Sequence, residues 1–408
     1  MERLTKGFSI TNKWNPMQPL KGLKILDFST LLPGPYATQL LADMGAEVLR
    51  IEAPKRPDLL KIMPPMVGKV SAAHASINRN KKSLALDLKQ PEAIVIVETL
   101  LEQYDIVIEQ FRPGVMAKLG LDFDKLKAKQ PKLIYCSITG YGQTGPFKDK
   151  AGHDINYLAL SGLASYSGRQ DTGPVLSGTQ IADIAGGSHH AVMAILAAVI
   201  ERNNTGKGQY LDISMSDAAF ALNTMFGAAS LVSEKDPAYG SEMLNGGLFY
   251  DYYKTSDDRY LSIGSLEPVF ANKLMQHLDL QHLLSKLMDQ RPAAQLEVKQ
   301  AIESKIATKT LQEWQAEFSE LDACVEPVLS VNEASQHPQF IERGMLCEAE
   351  DEMGNKIKQI NSALPFKNTS VHKAGVKLGA NTQEVLKSLH MSDEQIQTLR
   401  AKGCIFVD

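Results

Sequence analysis

One histidine and one aspartate of this chain are suited to acid–base chemistry. His153 lies in a short polar run, and Asp183 follows 30 positions later, directly before a stretch of small and apolar residues. An imidazole and a carboxylate can each exchange a proton near neutral pH. If both faced one carbon, they could remove a proton from one side and return one to the other. Each also has a structural interpretation, since an aspartate before a helix is a favoured N-cap and a lone histidine is often structural.

The elements that must hold this pair alternate between strands and helices. Predicted helices cover residues 36–44 and 92–102, and after Asp183 residues 185–200 predict a long, mostly buried helix. Short apolar runs predict strands at 23–28, 46–52, 83–88, 106–109 and 133–137. A strand, turn, helix and strand within about 30 residues form a βαβ unit with parallel strands. We therefore predict an α/β fold with a Rossmann-like, doubly wound sheet.

The composition changes along the chain and indicates three segments. We predict a large domain whose first part covers residues 1–225, a smaller domain over 226–335, and a return to the large domain over 336–408. Residues 1–20 have the composition of an irregular arm. In the tail, one helix is predicted from Thr382 and another after the start signal at Ser392.

Bulk composition limits the classes of partner. The 408 residues carry a formal net charge of −4, which provides no overall field for nucleic acid or for an anionic membrane. There is no apolar run near Met1 and no uninterrupted apolar stretch of about 18 residues, so we expect a cytoplasmic protein without a membrane partner. The four cysteines are scattered, which indicates neither a zinc site nor a disulfide framework.

Several short motifs are spread along the chain. They are LKGLKILDF at 20–28, GPYA at 34–37, LADMGAEV at 41–48, NRNKKS at 78–83, FRPGV at 111–115, GYGQTGP at 140–146 and TGKGQ at 205–209. Together they resemble the class III CoA-transferase family, also called CaiB/BaiF, from about Leu20 to the C-terminus.

This resemblance implies an architecture and a class of substrate. The family fold is a large domain built from both chain ends, with a smaller α+β domain inserted, and two such chains interlock as a homodimer. The substrate is an acyl-CoA, so coenzyme A enters as part of the substrate, and neither a prosthetic group nor a metal is implied. The family contains CoA transferases and α-methylacyl-CoA racemases, so membership alone leaves the reaction open.

Two local motifs distinguish the reactions. The run AGHDINYLALSG at 151–162 resembles the racemase branch, in which His153 and Asp183 match the catalytic pair and Glu267 matches a glutamate that orients the histidine. The run SGTQIAD at 177–183 resembles the transferase form, in which Asp183 attacks the acyl-CoA to form a mixed anhydride. We predict a racemase or epimerase of 2-methylacyl-CoA thioesters, acting by two-base 1,1-proton transfer through an enolate, and we keep the CoA transferase as the alternative.

The resemblance also assigns binding residues. The loop of Asn245, Gly246 and Gly247 matches a glycine loop over the substrate, although a plain hinge fits it equally well. A position near the adenosine end that is often arginine in the family is Ala53 here, where Lys55 or Arg56 could substitute. The predicted CoA contacts are Leu31, Leu32, Pro33, Asn78, Arg79, Asn80, Lys81, Gln110, Phe111, Arg112, Lys118, Thr139, Gly140, Tyr141 and Gly142. A solvated basic run is the alternative for Arg79 and Lys81, and an ion pair with Glu109 is the alternative for Arg112.

Overall fold

A computed structural model describes residues 18–366 and 371–407, so most of the predicted N-terminal arm lies outside the described residues. The chain forms two compact units. The first contains the described residues up to Tyr157, then Gln180–Ala218 and the chain from Gln339 onward, and the second contains Leu158–Thr179 and Ala219–Pro338. Residues 158–179, which the sequence prediction placed in the large domain, group here with the second unit. Within that unit Tyr166 stacks edge-on against Phe226.

The secondary structure elements are numbered in chain order. Apart from two short hairpins at residues 66–71 and 168–174, the strands are β1 (Lys24–Asp27), β2 (Glu47–Glu52), β3 (Lys81–Ala85), β4 (Ile106–Glu109), β5 (Ile134–Thr139), β6 (Tyr210–Ser214), β7 (Asp251–Lys254), β8 (Tyr260–Ile263), β9 (Val325–Pro327), β10 (Leu346–Glu350), β11 (Lys356–Ile360) and β12 (His372–Lys373). The α-helices are α1 (Pro33–Asp43), α2 (Ala72–Ile77), α3 (Pro91–Leu100), α4 (Val115–Leu119), α5 (Phe123–Lys129), α6 (Asp154–Leu160), α7 (His190–Thr205), α8 (Met215–Ala221), α9 (Phe226–Ser233), α10 (Pro268–His277), α11 (Pro292–Ile306), α12 (Leu311–Phe318), α13 (Val331–Ala334), α14 (Pro338–Glu342), α15 (Thr382–Ser388) and α16 (Asp393–Ala401). A π-helix, Ala182–His189, runs directly into α7.

A parallel six-stranded sheet forms the centre of the first unit. Its strand order is β6-β5-β4-β1-β2-β3, and every neighbouring pair is parallel. The chain moves outward from β1 to β3 and then returns to β4 on the other side of β1, which is the doubly wound order. The strand order therefore reverses between β1 and β4, and the carboxyl ends of these strands open a crevice where ligands bind in such sheets.

The five predicted strands are all present, within a few residues of their predicted ends. β1 and β4 read as mostly apolar runs because helices cover both faces of the sheet and bury nearly every side chain. β2 is buried as well, although Glu47, Arg50 and Glu52 alternate with its apolar residues. The sixth strand, β6, was not predicted. It lies at the sheet edge, and its alternating exposed and part-buried side chains give no apolar run.

The C-terminal end of the chain packs against the first sheet. Leu86, directly after β3, forms a bridge with Ile405. One buried cluster joins sheet, α3 and the last two helices, and it includes Leu26, Leu49, Val107, Val97, Leu100, Leu386, Ile396 and Leu399. The helices predicted from Thr382 and after Ser392 are present, and α16 starts with a capping box between Ser392 and Gln395. Both ends of the described chain therefore contribute to one core.

The second unit has mixed α and β structure. Strands β7, β8 and β9 form an antiparallel sheet in that order. Its core places Phe249 and Ile263 against Leu274 of α10, Ile302 of α11 and Trp314 of α12. Within the first unit, a separate small sheet with the order β11-β10-β12 follows α14.

The helix after Asp183 differs from the prediction in two ways. It begins earlier, as a π-helix, and its outer side is open, since Met193 is 57% and Ile200 is 64% exposed. The prediction of a mostly buried helix was therefore wrong, whereas the predicted stop is present as Gly206 in the left-handed conformation. By length and composition alone, residues Ala182–Thr205 could also cross a membrane. This is weak evidence, because one side of the segment carries buried residues such as Ala191 and Ile195.

Candidate active site

His153 and Asp183 line one cavity of about 280 Å³ in the first unit. We call this cavity the catalytic pocket. Its walls come from the turn after β1, the turn after β4 and the end of β5, and all three face the crevice where the strand order reverses. The wall residues from these turns are Leu31, Pro33, Gln110, Phe111, Arg112, Pro113, Thr139, Gly140 and Tyr141. The predicted pair therefore shares a cavity at the carboxyl ends of the central strands.

Asp183 lies in the first turn of the π-helix and is not its N-cap. The N-cap is Ile181, which makes no side-chain hydrogen bond. The Asp183 N–H donates to Oδ1 of Asp154 at 3.0 Å, so Asp154 satisfies this end of the helix and the amide is already engaged. The interpretation of Asp183 as the N-cap was therefore wrong.

The Asp183 side chain is half-buried and chemically available. Within the described chain, its carboxylate accepts no hydrogen bond from the protein. Burial raises its pKa to about 6, and the nearby Asp154 carboxylate acts in the same direction while His153 partly offsets both. A carboxyl group with a pKa near 6 can both accept and return a proton at neutral pH.

The π-helix is fastened to the first turn of α1. The Ser188 hydroxyl donates to the carbonyl oxygen of Pro33 at 2.7 Å. A Cβ on Gly187 would lie 3.0 Å from Cβ of Pro33, so a small residue is needed for this close approach. π-helical turns occur frequently at functional sites. This one sets the position of Asp183 relative to the turn after β1.

His153 directly precedes α6. It is exposed and lines the catalytic pocket. Its backbone is fixed, because the N–H donates to Oδ1 of Asn156 at 3.0 Å and the carbonyl oxygen accepts from the Asn156 N–H at 2.8 Å. The Tyr157 hydroxyl donates to the Gly152 carbonyl at 2.7 Å, and the Tyr157 ring stacks edge-on against Tyr141. The backbone is therefore held while the imidazole makes no hydrogen bond within the described chain.

Two lysines of the pocket were not among the predicted residues. Lys148 and Lys150 lie in the wall shortly before His153, and both are exposed. Together with Arg112 they place three cationic side chains around a pocket whose wall contains one carboxylate, Asp183. Their position just before the AGHD motif was the available signal. Their charge favours an anionic ligand or a developing negative charge.

A second, larger cavity of about 830 Å³ adjoins the catalytic pocket, and we call it the large groove. Leu31, Gln110, Phe111 and Arg112 line both cavities and form their shared wall. The volume lies within the range of ligand-binding clefts. The groove also contains Ala53, with the cationic side chains of Lys55, Arg56 and Lys89 beside it. The wall thus has basic groups near the position where the sequence lacks the family arginine.

Of the other predicted CoA contacts, some lie outside both walls. Leu32, Lys118 and Gly142 do not line either cavity. Lys118 is exposed on α4, and Gly142 is a buried turn residue with a positive φ. The prediction for these three residues is therefore without structural support.

Arg79 is a core residue. Its side chain is fully buried, and its Nη2 donates to Oδ2 of Asp43 in α1 at 2.6 Å, while Nη1 donates to the carbonyl oxygen of Ile360 at 2.7 Å. The side-chain amide of Asn80 also donates to Oδ1 of Asp43, at 2.9 Å. Both interpretations of Arg79 from the sequence, a phosphate contact and a solvated cation, were wrong.

Lys81 and Asn78 fasten β3 to α1 in the same way. Lys81 is 5% exposed, and its ammonium donates to the Pro35 carbonyl at 2.6 Å and to Oδ1 of Asn78 at 2.9 Å. Burial lowers its pKa to about 7, with Asp27 acting in the opposite direction. The predicted phosphate contacts of Lys81 and Asn78 were also wrong, because both polar groups are used within the core.

Glu267 and the glycine loop lie in the second unit. Glu267 is the exposed residue before α10, and its predicted role in orienting His153 stays a prediction. Asn245 donates from its amide to the carbonyls of Tyr166 and Ala238, and its Oδ1 accepts from the Glu242 N–H at 2.8 Å. The side chain of Asn245 is therefore engaged in fixing its own loop, which does not fit a plain hinge.

Metal ligands and thiols add no further group to the site. In residues 18–366 and 371–407, no cluster of three or more His, Cys, Asp or Glu side chains has an arrangement that could hold a metal. The four cysteines are free, with Cys136 and Cys404 buried and Cys324 exposed.

Thr139 provides a test of ligand contact in the pocket. Its side chain is buried, and within the described chain its hydroxyl has no hydrogen-bond partner. If this hydroxyl bonds to the ligand, Thr139→Val should raise the KM for an acyl-CoA about tenfold. The free protein should be as stable as the wild type, or up to about 1 kcal/mol more stable, because an unpaired buried hydroxyl is costly. Thr139→Ser should retain the wild-type KM. Thermal melting and steady-state kinetics measure both; a lower melting temperature with unchanged KM would assign the hydroxyl to the fold instead.

Comparison with known proteins places this geometry in a family. The model of CoA-transferase family III matches residues 20–382. Human alpha-methylacyl-CoA racemase is 34% identical over 95% of this chain and 97% of its own length, and human succinyl-CoA:glutarate CoA-transferase is 31% identical over 96% and 91%. The crystal structure of a CaiB/BaiF family protein from Brucella suis superimposes with a TM-score of 0.81 at 28% identity, over 92% of this chain and all of that one. The chain therefore belongs to CoA-transferase family III, whose members include both racemases and transferases.

Proposed function

We propose that this protein is a racemase or epimerase of 2-methylacyl-CoA thioesters. The observation that carries the proposal is that the catalytic pocket holds two proton-exchanging groups, His153 and Asp183. A reaction that inverts a carbon next to a thioester needs a base on one face of that carbon and an acid on the other. A CoA transferase of this family requires the aspartate alone, so the histidine in the same wall favours the racemase.

The proposed reaction leaves the overall composition of the substrate unchanged. One group of the pair removes the α-proton, and the electron pair of the broken C–H bond moves into an enolate whose negative charge lies on the thioester oxygen. The other group then delivers a proton to the opposite face, and the thioester carbonyl is restored. The cations of Arg112, Lys148 and Lys150 lower the cost of the enolate charge, and the free hydroxyl of Thr139 is a further donor within the pocket.

The large groove supports coenzyme A as the carrier of the acyl group. Its basic side chains, Lys55, Arg56 and Lys89, suit the phosphates, and its shared wall with the catalytic pocket would let one ligand occupy both cavities. Lys55 makes only an exposed contact of 3.4 Å with Asp87, so its ammonium can rearrange toward a phosphate. We propose that these groups substitute for the family arginine, whose position is occupied by Ala53 here.

The transferase is the second candidate, and the state of Asp183 favours it. Its carboxylate is not engaged by the protein, so it could attack an acyl-CoA carbonyl, form an acyl anhydride and release the CoA thiolate. The acceptor carboxylate would then attack the Asp183 carbonyl carbon of this anhydride and release the donor acid. The thiolate would finally attack the acceptor acyl carbon, which forms the product thioester and frees the Asp183 carboxylate. A transferase among the relatives agrees with this alternative.

Deuterium exchange tests the proposal directly. The protein is incubated with a single epimer of a 2-methylacyl-CoA in deuterated water, without any acceptor acid. We expect deuterium at the α-carbon, measured by mass spectrometry, together with loss of optical purity, measured by chiral chromatography. If no exchange occurs and CoA is transferred to an added carboxylic acid, the racemase proposal is wrong and the protein is a transferase.

Two further properties remain predictions. We propose that the protein acts as a homodimer, which analytical ultracentrifugation would measure. We also propose a cytoplasmic location for it. Neither property is needed for the deuterium experiment.

A further inference from the structure

Glu109, the last residue of β4, is a buried acid that the proposed reaction does not use. Its side chain is 3% exposed, and within the described chain it forms no ion pair. Arg112, its possible partner from the sequence, forms none with it either; that interpretation was wrong. The Glu109 carboxylate instead accepts the Phe111 N–H at 2.7 Å. Burial raises its pKa to about 7.

The backbone that Glu109 holds is the turn over residues 110–113. Gln110, Phe111 and Arg112 from this turn line both the catalytic pocket and the large groove. Oε1 of Gln110 accepts the Gly34 N–H at 3.0 Å, which fastens the turn to the start of α1. The second fastening is the bond from Phe111 to Glu109. Together these two bonds fix the shared wall between the two sheet halves at β1 and β4.

The other side of Glu109 faces a third cavity of about 300 Å³. Ser137 and Tyr210 line the same cavity, and the Tyr210 hydroxyl donates to Oγ of Ser137 at 3.0 Å. This bond links β6 to β5 beside Glu109. The titratable and charged groups around Glu109 are Arg112, Asp122, Asp124, Tyr135, Cys136, Tyr210 and Asp212.

We propose that Glu109 is a positioning residue whose carboxylate holds the turn over residues 110–113 as the wall shared by the catalytic pocket and the large groove. An ionised carboxylate binds a backbone N–H more strongly than a neutral carboxyl group does. The turn is therefore held more firmly when Glu109 is charged. This role goes beyond the proposed function, because it applies to any reaction of an acyl-CoA at this site.

Three variants separate this role from a general effect on folding. Glu109→Ala removes the acceptor, Glu109→Gln keeps a neutral acceptor of the same shape, and Glu102→Gln makes the same chemical change at an exposed position. The probe is coenzyme A, titrated by calorimetry at pH 6, 7 and 8. Because all four proteins receive the same ligand, the titration of its own phosphate cancels in the comparison.

We expect Glu109→Ala to bind coenzyme A about tenfold more weakly at pH 8, the size expected for a lost hydrogen bond to a charged group. In the wild type and in Glu102→Gln, binding should tighten between pH 6 and pH 8 as Glu109 ionises. Glu109→Gln should lack that tightening. Equal pH profiles for Glu109→Gln and the wild type would overturn the proposal, and so would unchanged binding by Glu109→Ala.

Hydrogen–deuterium exchange gives a second readout that needs no ligand. The amide of Phe111 should exchange at least about tenfold faster in Glu109→Ala than in the wild type, with no change in Glu102→Gln. If Glu109→Ala fails to fold, the pH dependence of this exchange in Glu109→Gln decides the matter. If the wild type binds no coenzyme A, the proposed function fails, while Phe111 exchange still tests the positioning role. Unchanged protection in every variant contradicts it.

Discussion

Replacing Asp183 with Ala is expected to lower the rate of α-proton exchange by a factor of about 10³ or more, because a positioned acid or base typically contributes about 10² to 10⁴. The same variant should lose any CoA transfer, since the carboxylate is also the nucleophile of that reaction. Rates are measured by deuterium incorporation and by CoA release to an acceptor acid. The variant therefore tests whether this pocket is the active site, and it does not distinguish the two reactions.

Asp183→Asn provides the folding control. The pKa of Asp183 is raised from 3.8 to about 6, so the folded protein holds the proton more tightly than the unfolded chain. The stability associated with the protonated form is therefore present below pH 3.8 and is lost as pH rises through about 6. At pH 7 the asparagine variant should melt at or above the wild-type temperature while remaining inactive. An active Asp183→Asn protein would show that the carboxylate is not required for the reaction, and a variant that unfolds would assign the residue to structure.

Replacing His153 with Ala is the variant that chooses between the two reactions. If the protein is a racemase, exchange should fall by about 10² to 10⁴ because one of the two bases is lost. If it is a transferase, CoA transfer should stay within a few-fold of the wild type. His282→Ala is the matched control, since His282 is an exposed histidine of the second unit and lies outside the catalytic pocket.

The pH dependence of exchange adds a separate observation on the same pair. With Asp183 half-ionised near pH 6, the fraction available as a base increases up to about pH 7. The exchange rate from the epimer that Asp183 deprotonates should therefore rise over this interval. A rate that is flat between pH 5 and pH 7 in both directions would contradict a role for Asp183 as a base.

The sheet could be predicted wherever burial on both faces dictated an apolar run. β1 and β4 were visible for this reason. β6 was not, because an edge strand exposes alternate side chains and leaves no run. Strand order is also absent from local patterns. It depends on which crossovers pack together, and the reversal between β1 and β4 appears only in the folded chain.

Charged residues were the least predictable part of the site. Arg79 and Lys81 stand in a run of polar residues that looks solvated, yet their partners lie 36 and 46 positions away in α1. Distant partners of this kind leave no trace in local spacing. His153 and Asp183 were singled out because their motifs resemble those of a known family, and the structure puts both in one cavity. The spacing of 30 residues alone did not imply a shared pocket.

The shared wall between the catalytic pocket and the large groove has a consequence for changing the substrate of this enzyme. Gln110, Phe111 and Arg112 each contribute to both cavities. If the acyl group and coenzyme A occupy the two cavities as we propose, a substitution chosen to admit a larger acyl chain also alters the groove for coenzyme A. Selection for a new acyl group at these three positions would act on carrier affinity at the same time, so separate adjustment has to come from residues that border one cavity alone, such as Lys150 or Lys89.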